Sequence, residues 1–354
     1  MGFSPRLLWV ESETEAGRVI QQLGADPAGV ARMAAKMVRR LVHLSAVPCR
    51  AANVLKQEML SLGGDAAVAR GTVACSIPVT DVVLIGSLKQ LRQLCERLPH
   101  QPFGLRELAA ELVVLLSVID HPPSKLQGRN CCLELDRPRI MGVLNLTPDS
   151  FSDGGRYQGP EAALRRALEM VREGADLIDI GGESTRPGAP AVSAEEETQR
   201  VVPIIEALRR ELDLPLSIDT SKSSVAQAAM AAGANFINDI SGLSFDSRMA
   251  GVAAASAAGL FLMHTPGRPE VMQQHTRYSD LLSEVIGSLQ RSLDQAEAAG
   301  VPRCKLAVDP GIGFGKDAAG NLQLLQRLRE LQCLGTPVLL GTSRKSFIGK
   351  VLGQ

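Results

Sequence analysis

The sequence is poor in aromatic residues and carries no net charge. Phe, Trp and Tyr together make up 3% of the 354 residues, and Lys plus Arg equals Asp plus Glu at 38 each. So few rings argue against a stacking surface for single-stranded nucleic acid. Balanced charge supplies no positive field that would attract a phosphate backbone or an anionic membrane. We therefore expect no nucleic-acid partner, and any bound anion must be held by a local site.

The sequence also lacks a membrane span, a signal peptide and a paired-cysteine motif. Its longest apolar run, around 112–118, is far shorter than the roughly 20 residues that a span needs. Acidic residues occur near the N-terminus, where a signal peptide would have its apolar core. The seven cysteines include no CxxC pair, which is typical of reduced thiols. We expect a cytoplasmic protein with no membrane partner.

The chain divides into two parts with different sequence patterns. Residues 1–137 combine helical periodicity with a β-branched run at 79–85, which indicates a small α/β domain without a recognisable chemical motif. The polar, proline-bearing stretch 121–130 is typical of a linker. Beyond it, short apolar runs alternate regularly with helical segments. We predict two domains, 1–137 and 138–354, and the sequence assigns the first one no role.

Seven short apolar runs in the second part predict strands. They lie at 140–144, 176–180, 215–219, 235–239, 259–263, 305–309 and 337–341. Their alternation with helices calls for a parallel sheet. Polar residues follow nearly every strand, and in a (β/α)8 barrel the carboxyl ends of all strands surround one opening. An open doubly wound sheet would offer only a crevice near its switch point. The polar strand ends therefore favour the barrel.

Charged residues collect at these strand ends. They are Asp179, Glu183, Asp219, Asp239, Asp309, Arg186, Arg344 and Lys345. Buried carboxylates need a cation or a hydrogen-bond donor, and a flat heterocycle with adjacent N–H groups would satisfy them. Each aspartate alone would more often cap a helix or turn, as in Asp219-Thr220-Ser221. Five carboxylates at one opening favour a binding site instead.

Two glycine-rich loops accompany the charged residues. Residues 181–188 (GGESTRPG) include hydroxyls and an arginine, the groups that grip a diphosphate. Residues 309–316 (DPGIGFGK) lack the Walker spacing, and their glycines are explained by close approach of the backbone to a flat ligand. His264 has no second histidine at ligand spacing, which argues against zinc.

Two segments closely resemble the signatures of the dihydropteroate synthase family, whose members are pterin-binding TIM-barrel enzymes. These segments are 140–155 (IMGVLNLTPDSFSDGG) and 175–188 (ADLIDIGGESTRPG). Four further blocks agree in order and spacing: SIDTSKSSVAQAAMAAG, FINDISG, LAVDPGIGFGK and LLGTSRKSFIG. The resemblance runs from about residue 139 to the end. It implies a transferase of folate synthesis that joins 7,8-dihydropterin-6-ylmethyl diphosphate to 4-aminobenzoate and releases diphosphate.

The resemblance also implies roles for individual residues. Those that would contact the pterin are Asp219, Asn238, Asp309, Lys345, Ile240 and Met263. Those that would contact aminobenzoate or diphosphate are Thr185, Arg186, Phe151, Pro187, Gly313 and Phe314. Asn145 would help to bind Mg²⁺ beside the diphosphate. Arg186, Lys345 and Asp219 would be the catalytic residues. No covalent nucleophile or strong general base is needed, because the family is thought to react through a dissociative route with a neutral aromatic amine.

The sequence departs from the family pattern near its C-terminus. The family continues past the SRKS block through a helix, an eighth strand with an Arg-x-His pair and a last helix, whereas this sequence stops at Gln354. We expect a TIM (β/α)8-type barrel lacking its eighth strand, either as a fragment of a longer product or with the gap filled by the first domain or a partner chain. Family members are commonly homodimers, through a contact that uses late helices which this sequence partly lacks.

Two other functions stay open at this stage. A methyltetrahydrofolate-binding methyltransferase domain shares pterin recognition through strand-end Asp and Asn residues. Its methyl donor carries no diphosphate, however, so the loop at 181–188 argues against this alternative. A truncated pterin-binding protein without catalytic activity is the second alternative.

Overall fold

The computed structural model describes residues 6–146, 160–184, 192–268, 272 and 276–353. The chain forms two compact units that divide between His121 and Pro122. The sequence predicts a boundary at 137 and a linker over 121–130, but a short strand, Lys125–Gly128, lies within that stretch. The difference arises because a short hairpin belongs to the second unit. No helix in the described ranges is long and apolar enough to cross a membrane.

The first unit is a three-stranded antiparallel sheet covered by helices. Its elements are α1 (Glu13–Gln22), α2 (Pro27–Met37), β1 (Arg39–Pro48), α3 (Cys49–Ser61), β2 (Asp65–Val68), β3 (Val79–Ser87), α4 (Leu88–Arg97), a 3₁₀ turn (Leu98–His100) and α5 (Leu105–Asp120). The strand order is β1-β3-β2. Leu55 of α3, Leu84 of β3 and Leu91 of α4 are buried in one core, which confirms the predicted α/β character.

The second unit begins with a hairpin and continues as alternating strands and helices. Its elements are β4 (Lys125–Gly128), β5 (Cys131–Glu134), β6 (Met141–Asn145), α6 (Pro160–Arg172), β7 (Leu177–Gly181), α7 (Ala194–Glu211), β8 (Leu216–Asp219), α8 (Ser223–Ala232), β9 (Phe236–Asp239), α9 (Met249–Ala255), β10 (Gly259–Met263), α10 (Leu281–Ala298), β11 (Leu306–Asp309), α11 (Ala318–Gln326), α12 (Ser346–Leu352) and 3₁₀ helices at Arg303–Lys305 and Leu328–Leu334. Helix starts are capped locally: the Ser193 hydroxyl accepts the Glu196 N–H before α7.

Six parallel strands, β6 to β11, lie side by side in the order in which they occur along the chain. A parallel sheet in sequential order with helices between its strands is the TIM-barrel arrangement, as the sequence predicts. The seventh predicted strand, 337–341, forms only a bridge between Val338 and Val308. Two backbone hydrogen bonds join this segment to β11. The Val308 N–H donates to the Pro337 carbonyl, and the Leu339 N–H donates to the Val308 carbonyl. No eighth barrel strand occurs among the described residues.

Side chains along the barrel strands alternate between two environments. Ile178 and Ile180 of β7 pack in the large core that includes the surrounding helices. Since strand side chains point alternately to opposite faces, Asp179 and Gly181 face the interior of the barrel. The apolar core thus holds the strands from outside, and the interior near the carboxyl ends is left for polar groups.

The hairpin β4–β5 covers the amino ends of the strands. Leu126 and Leu133 of the hairpin form a small apolar core with Phe236 and Phe261. The Asn235 side chain donates to the Arg129 carbonyl over 2.7 Å, and the Arg129 N–H donates to the Asn235 carbonyl over 3.0 Å. This end of the barrel is therefore closed by apolar packing.

We predict that Phe236→Ala lowers the free energy of unfolding of the barrel unit by about 3 to 5 kcal/mol, because it leaves a cavity under the hairpin. Leu322→Ala is the matched control, since Leu322 lies on α11 with 46% of its surface exposed. Leu322→Ala should lower the free energy of unfolding by no more than about 1 kcal/mol. Urea denaturation followed by circular dichroism measures both. Equal losses in the two variants would contradict the closing role of Phe236.

Candidate active site

Most of the predicted site residues lie at the carboxyl ends of the barrel strands. Asn145, Asp219, Met263 and Asp309 are the last residues of β6, β8, β10 and β11, and Asn238 lies one residue before the end of β9. Four predicted contacts, Phe151, Thr185, Arg186 and Pro187, lie outside the described residues. The barrel therefore brings the described polar candidates to one opening.

The side chains of Asn145 and Asp219 both lie close to Gly181. A Cβ atom at Gly181 would lie 3.4 Å from Oδ1 of Asn145 and 3.4 Å from Oδ2 of Asp219. Both oxygens thus approach the same point above the intervening strand. Carboxylate and amide oxygens are the ligands that Mg²⁺ prefers. No group of three or more His, Cys, Asp or Glu residues with metal-binding geometry occurs in the described part of the chain.

Asn238 is held by Asp179, a buried carboxylate that the sequence places at the strand ends without assigning it a ligand contact. Its Nδ2 donates to Oδ2 of Asp179 over 2.8 Å. The other oxygen of Asp179 has no hydrogen-bond partner among the described residues, and burial raises the pKa of Asp179. Two isoleucines flank Asp179 in the sequence, and this alternation was the available signal that it faces inward. Its carboxylate orients the Asn238 amide.

Asp219 lies among other acidic groups. Burial raises the pKa of Asp219 well above its usual range, and the carboxylates of Asp179 and Glu197 raise it further. Asp219 itself stays half-buried, at the opening rather than beneath it. A carboxyl in this setting gains from any cation or N–H donor that enters the opening.

Lys345 supplies a positive charge near Asp309 and Asp219. Burial lowers the pKa of Lys345, while the charges of Asp309 and Asp219 oppose that shift. Its Nζ lies 4.3 Å from the centre of the Phe314 ring, a cation–π distance. Gly313 has a φ of +85°, and a Cβ there would lie 3.0 Å from Cδ of Lys345. Glycine at 313 therefore lets the lysine stem pass close to the backbone.

Asp309 combines burial with nearby donors. Its Oδ1 accepts the Gly311 N–H over 2.7 Å. Burial raises the pKa of Asp309 to about 6, although this hydrogen bond and the charges of Lys345 and Lys316 act in the opposite direction. Met263, its neighbour in the sheet register, is buried beside it. Ile240 is half-buried just after β9.

Two strand-end carboxylates have structural roles. Asp239 accepts the N–H groups of Ser241 and Leu243, each over 2.8 Å, so it fits the turn-capping alternative. Glu183 pairs with Nζ of Lys222 over 2.7 Å, and Lys222 also contacts the buried Glu197 over 2.5 Å. The five carboxylates therefore do not all meet one ligand, which corrects the expectation from the sequence.

Residues 141–354 match the family of pterin binding enzymes. Dihydropteroate synthase of Synechocystis sp. is 51% identical over 218 residues, which cover 62% of this chain and 75% of that protein. The structure of Xanthomonas albilineans dihydropteroate synthase with 4-aminobenzoic acid has 48% sequence identity and a TM-score of 0.61, covering 66% of this chain and 82% of the other.

One relative also covers the first unit. A probable bifunctional folylpolyglutamate synthase/dihydropteroate synthase of Halobacterium salinarum is 44% identical over 342 residues. The similarity covers 97% of this chain, but the chain spans only 41% of that relative. Over the barrel, the match to the pterin binding enzymes and the identity to the synthases agree with the site geometry. The chain therefore belongs to the dihydropteroate synthase family of pterin binding enzymes.

Proposed function

We propose that the protein condenses 7,8-dihydropterin-6-ylmethyl diphosphate with 4-aminobenzoate to give 7,8-dihydropteroate and diphosphate. The observation that carries this proposal is the grouping of Asp219, Asn238, Asp309 and Lys345 at one end of the barrel. Similarity to the Xanthomonas albilineans enzyme, whose structure contains 4-aminobenzoic acid, supports the second substrate.

The pterin would enter an opening whose carboxylates need donors. Its amino-pyrimidinone edge carries adjacent N–H groups, and Asp219 and Asp309 would accept them. Because one N–H of Asn238 is held by Asp179, its Oδ1 and second N–H are left to bind the ring edge. Lys345 would donate to a ring acceptor. Met263 and Ile240 would pack on the ring, so polar groups fix its orientation and apolar groups supply contact area.

The protein would assist departure of the diphosphate by placing charge. As the bond between the pterin methylene and the diphosphate breaks, positive charge develops on the pterin, and ionised Asp219 and Asp309 would stabilise it. The aromatic amine is neutral near pH 7, so its attack needs no strong general base. Gly313 and Phe314, beside Lys345, would form part of the aminobenzoate wall and hold the amine close to the methylene.

Mg²⁺ is part of the proposal. Asn145 would hold it, and the approach of Asn145 and Asp219 over Gly181 offers the hard oxygen donors that suit this ion. When bound, Mg²⁺ would neutralise charge on the diphosphate. Thr185 and Arg186 are proposed to bind the same group, and Phe151 and Pro187 to line the aminobenzoate side. The homodimer also remains a proposal.

The cytoplasm is the proposed location. All seven cysteines are free, which suits a reducing compartment.

We predict that Lys345→Ala and Asp219→Asn each weaken pterin binding by about 1 to 3 kcal/mol, because each removes one charged hydrogen-bonding partner. Isothermal titration with 6-hydroxymethyl-7,8-dihydropterin measures the change. Lys125→Ala and Asp294→Asn are the matched controls, on the hairpin and on α10. The controls should bind normally. Unchanged affinity in both site variants would refute the assigned roles.

We predict that the purified protein releases diphosphate only when the pterin diphosphate and 4-aminobenzoate are both present, with Mg²⁺. The released diphosphate should equal the dihydropteroate formed, as a coupled phosphate assay and chromatography would show. Methyl transfer to a corrinoid without diphosphate release would instead establish the methyltransferase alternative. Pterin binding without turnover would establish a non-catalytic binding protein.

A further inference from the structure

Lys316 is a buried lysine with no part in the reaction proposed above. It lies between β11 and α11, with 4% of its surface exposed. Its Nζ is 2.9 Å from Nδ1 of His264, 3.0 Å from the carbonyl oxygen of Gly311 and 2.9 Å from that of Phe314. The His264 carbonyl oxygen lies farther away, at 3.5 Å. The three nearer acceptors match the three N–H bonds of an ammonium group. Such a match is what allows a cation to be buried.

These contacts hold the turn that carries one side of the pterin site. The peptide groups around Gly311 link Lys316 to Asp309: the Gly311 carbonyl accepts from Lys316, and the Gly311 N–H donates to Oδ1 of Asp309. The Phe314 carbonyl also accepts from Lys316, and the Phe314 ring contacts the Lys345 ammonium. One buried ammonium therefore orients both Asp309 and the ring beside Lys345.

Neighbouring residues leave this turn little freedom. A Cβ at Gly311 would lie 2.1 Å from the His264 carbonyl oxygen. The Asn321 side chain accepts the Gly313 N–H over 2.7 Å, and the Tyr278 hydroxyl donates to the Gly315 carbonyl over 2.8 Å. The turn is thus clamped from three sides around Lys316.

The charges around the turn depend on one another. Burial lowers the pKa of Lys316 to about 7; Asp309 favours its charged form and Lys345 disfavours it. Burial lowers the pKa of His264 to about 3, and Lys316 and Arg291 add to this effect. His264 is therefore neutral at pH 7 and accepts through Nδ1. A positive Lys316 in turn favours the ionised form of Asp309.

We propose that Lys316 is a positioning residue of the pterin site, which holds the 310–315 turn so that Asp309 accepts from the pterin and Lys345 stays beside Phe314. Near pH 6, where Lys316 is charged, that charge favours the form of Asp309 that accepts hydrogen bonds. This inference rests on the proposed function, because it assigns a purpose to the turn only if a pterin occupies the opening.

The test is the pH dependence of pterin affinity in the full chain with Lys316→Met. Isothermal titration with 6-hydroxymethyl-7,8-dihydropterin gives the dissociation constant between about pH 5.5 and pH 8. Wild-type affinity should fall with falling pH as Asp309 and Asp219, whose pKa values are both raised, take up protons. In Lys316→Met the affinity at about pH 7.5 should drop about tenfold, and the acid midpoint should move upward by about one pH unit, because a positive neighbour of Asp309 is lost.

Two further variants make the result specific. Lys125→Met removes an exposed lysine of the hairpin, paired with Glu134, and should reproduce the wild-type curve. Lys316→Arg keeps the charge, but its planar donor fork does not match the three acceptors. This variant should keep the acid midpoint while binding more weakly, and it provides the test if the Met variant does not fold.

Two results would be decisive against these assignments. Wild-type affinity and midpoint in folded Lys316→Met, or wild-type affinity in Lys316→Arg, would overturn the positioning role. A wild-type chain that binds no pterin at any pH would overturn the proposed function instead.

Discussion

The site depends on carboxylates that the barrel brings together and partly removes from water. Asp179, Asp219 and Asp309 come from three different parallel strands, and burial raises the pKa of each. Such groups stay ionised only where cations or N–H donors meet them. Lys345 and Lys316 supply part of that compensation within the protein. A flat ligand with an N–H edge would supply the rest, so the same electrostatic requirement would govern both the ionisation of these carboxylates and the selectivity of the site.

The two ends of the barrel interior have different roles: the amino ends contribute to stability and the carboxyl ends carry the polar groups of the site. At the amino ends, Phe236 and Phe261 pack with the hairpin leucines and exclude polar groups. At the carboxyl ends, inward positions of the barrel strands carry Asn238 and Asp309 instead. The apolar core outside the strands serves both ends, because it holds their alternation in place. Polar side chains can therefore gather at one opening without weakening the packing at the other.

Much of this architecture could be predicted from the sequence. The first six barrel strands are short apolar runs with clear boundaries, and the strand-end residues follow from them. The hairpin was not predicted, because proline and polar residues dominate 121–130 and each of its strands buries a single leucine, Leu126 or Leu133. The partners of Asp179 and Lys316 could not be predicted either. These contacts join residues that are far apart in the sequence, so the local sequence pattern does not predict them.

The most direct test is whether pterin binding releases protons near pH 6. Titration calorimetry in buffers of different ionisation enthalpy counts these protons. Asp309, with its pKa raised to about 6, is partly protonated there, and N–H donors from the pterin would favour its ionised form. We predict net proton release at pH 6, from Asp309 and from Asp219, whose pKa is also raised. Binding with no proton exchange, or with net uptake at pH 6, would contradict a site built on carboxylates that the ligand must satisfy.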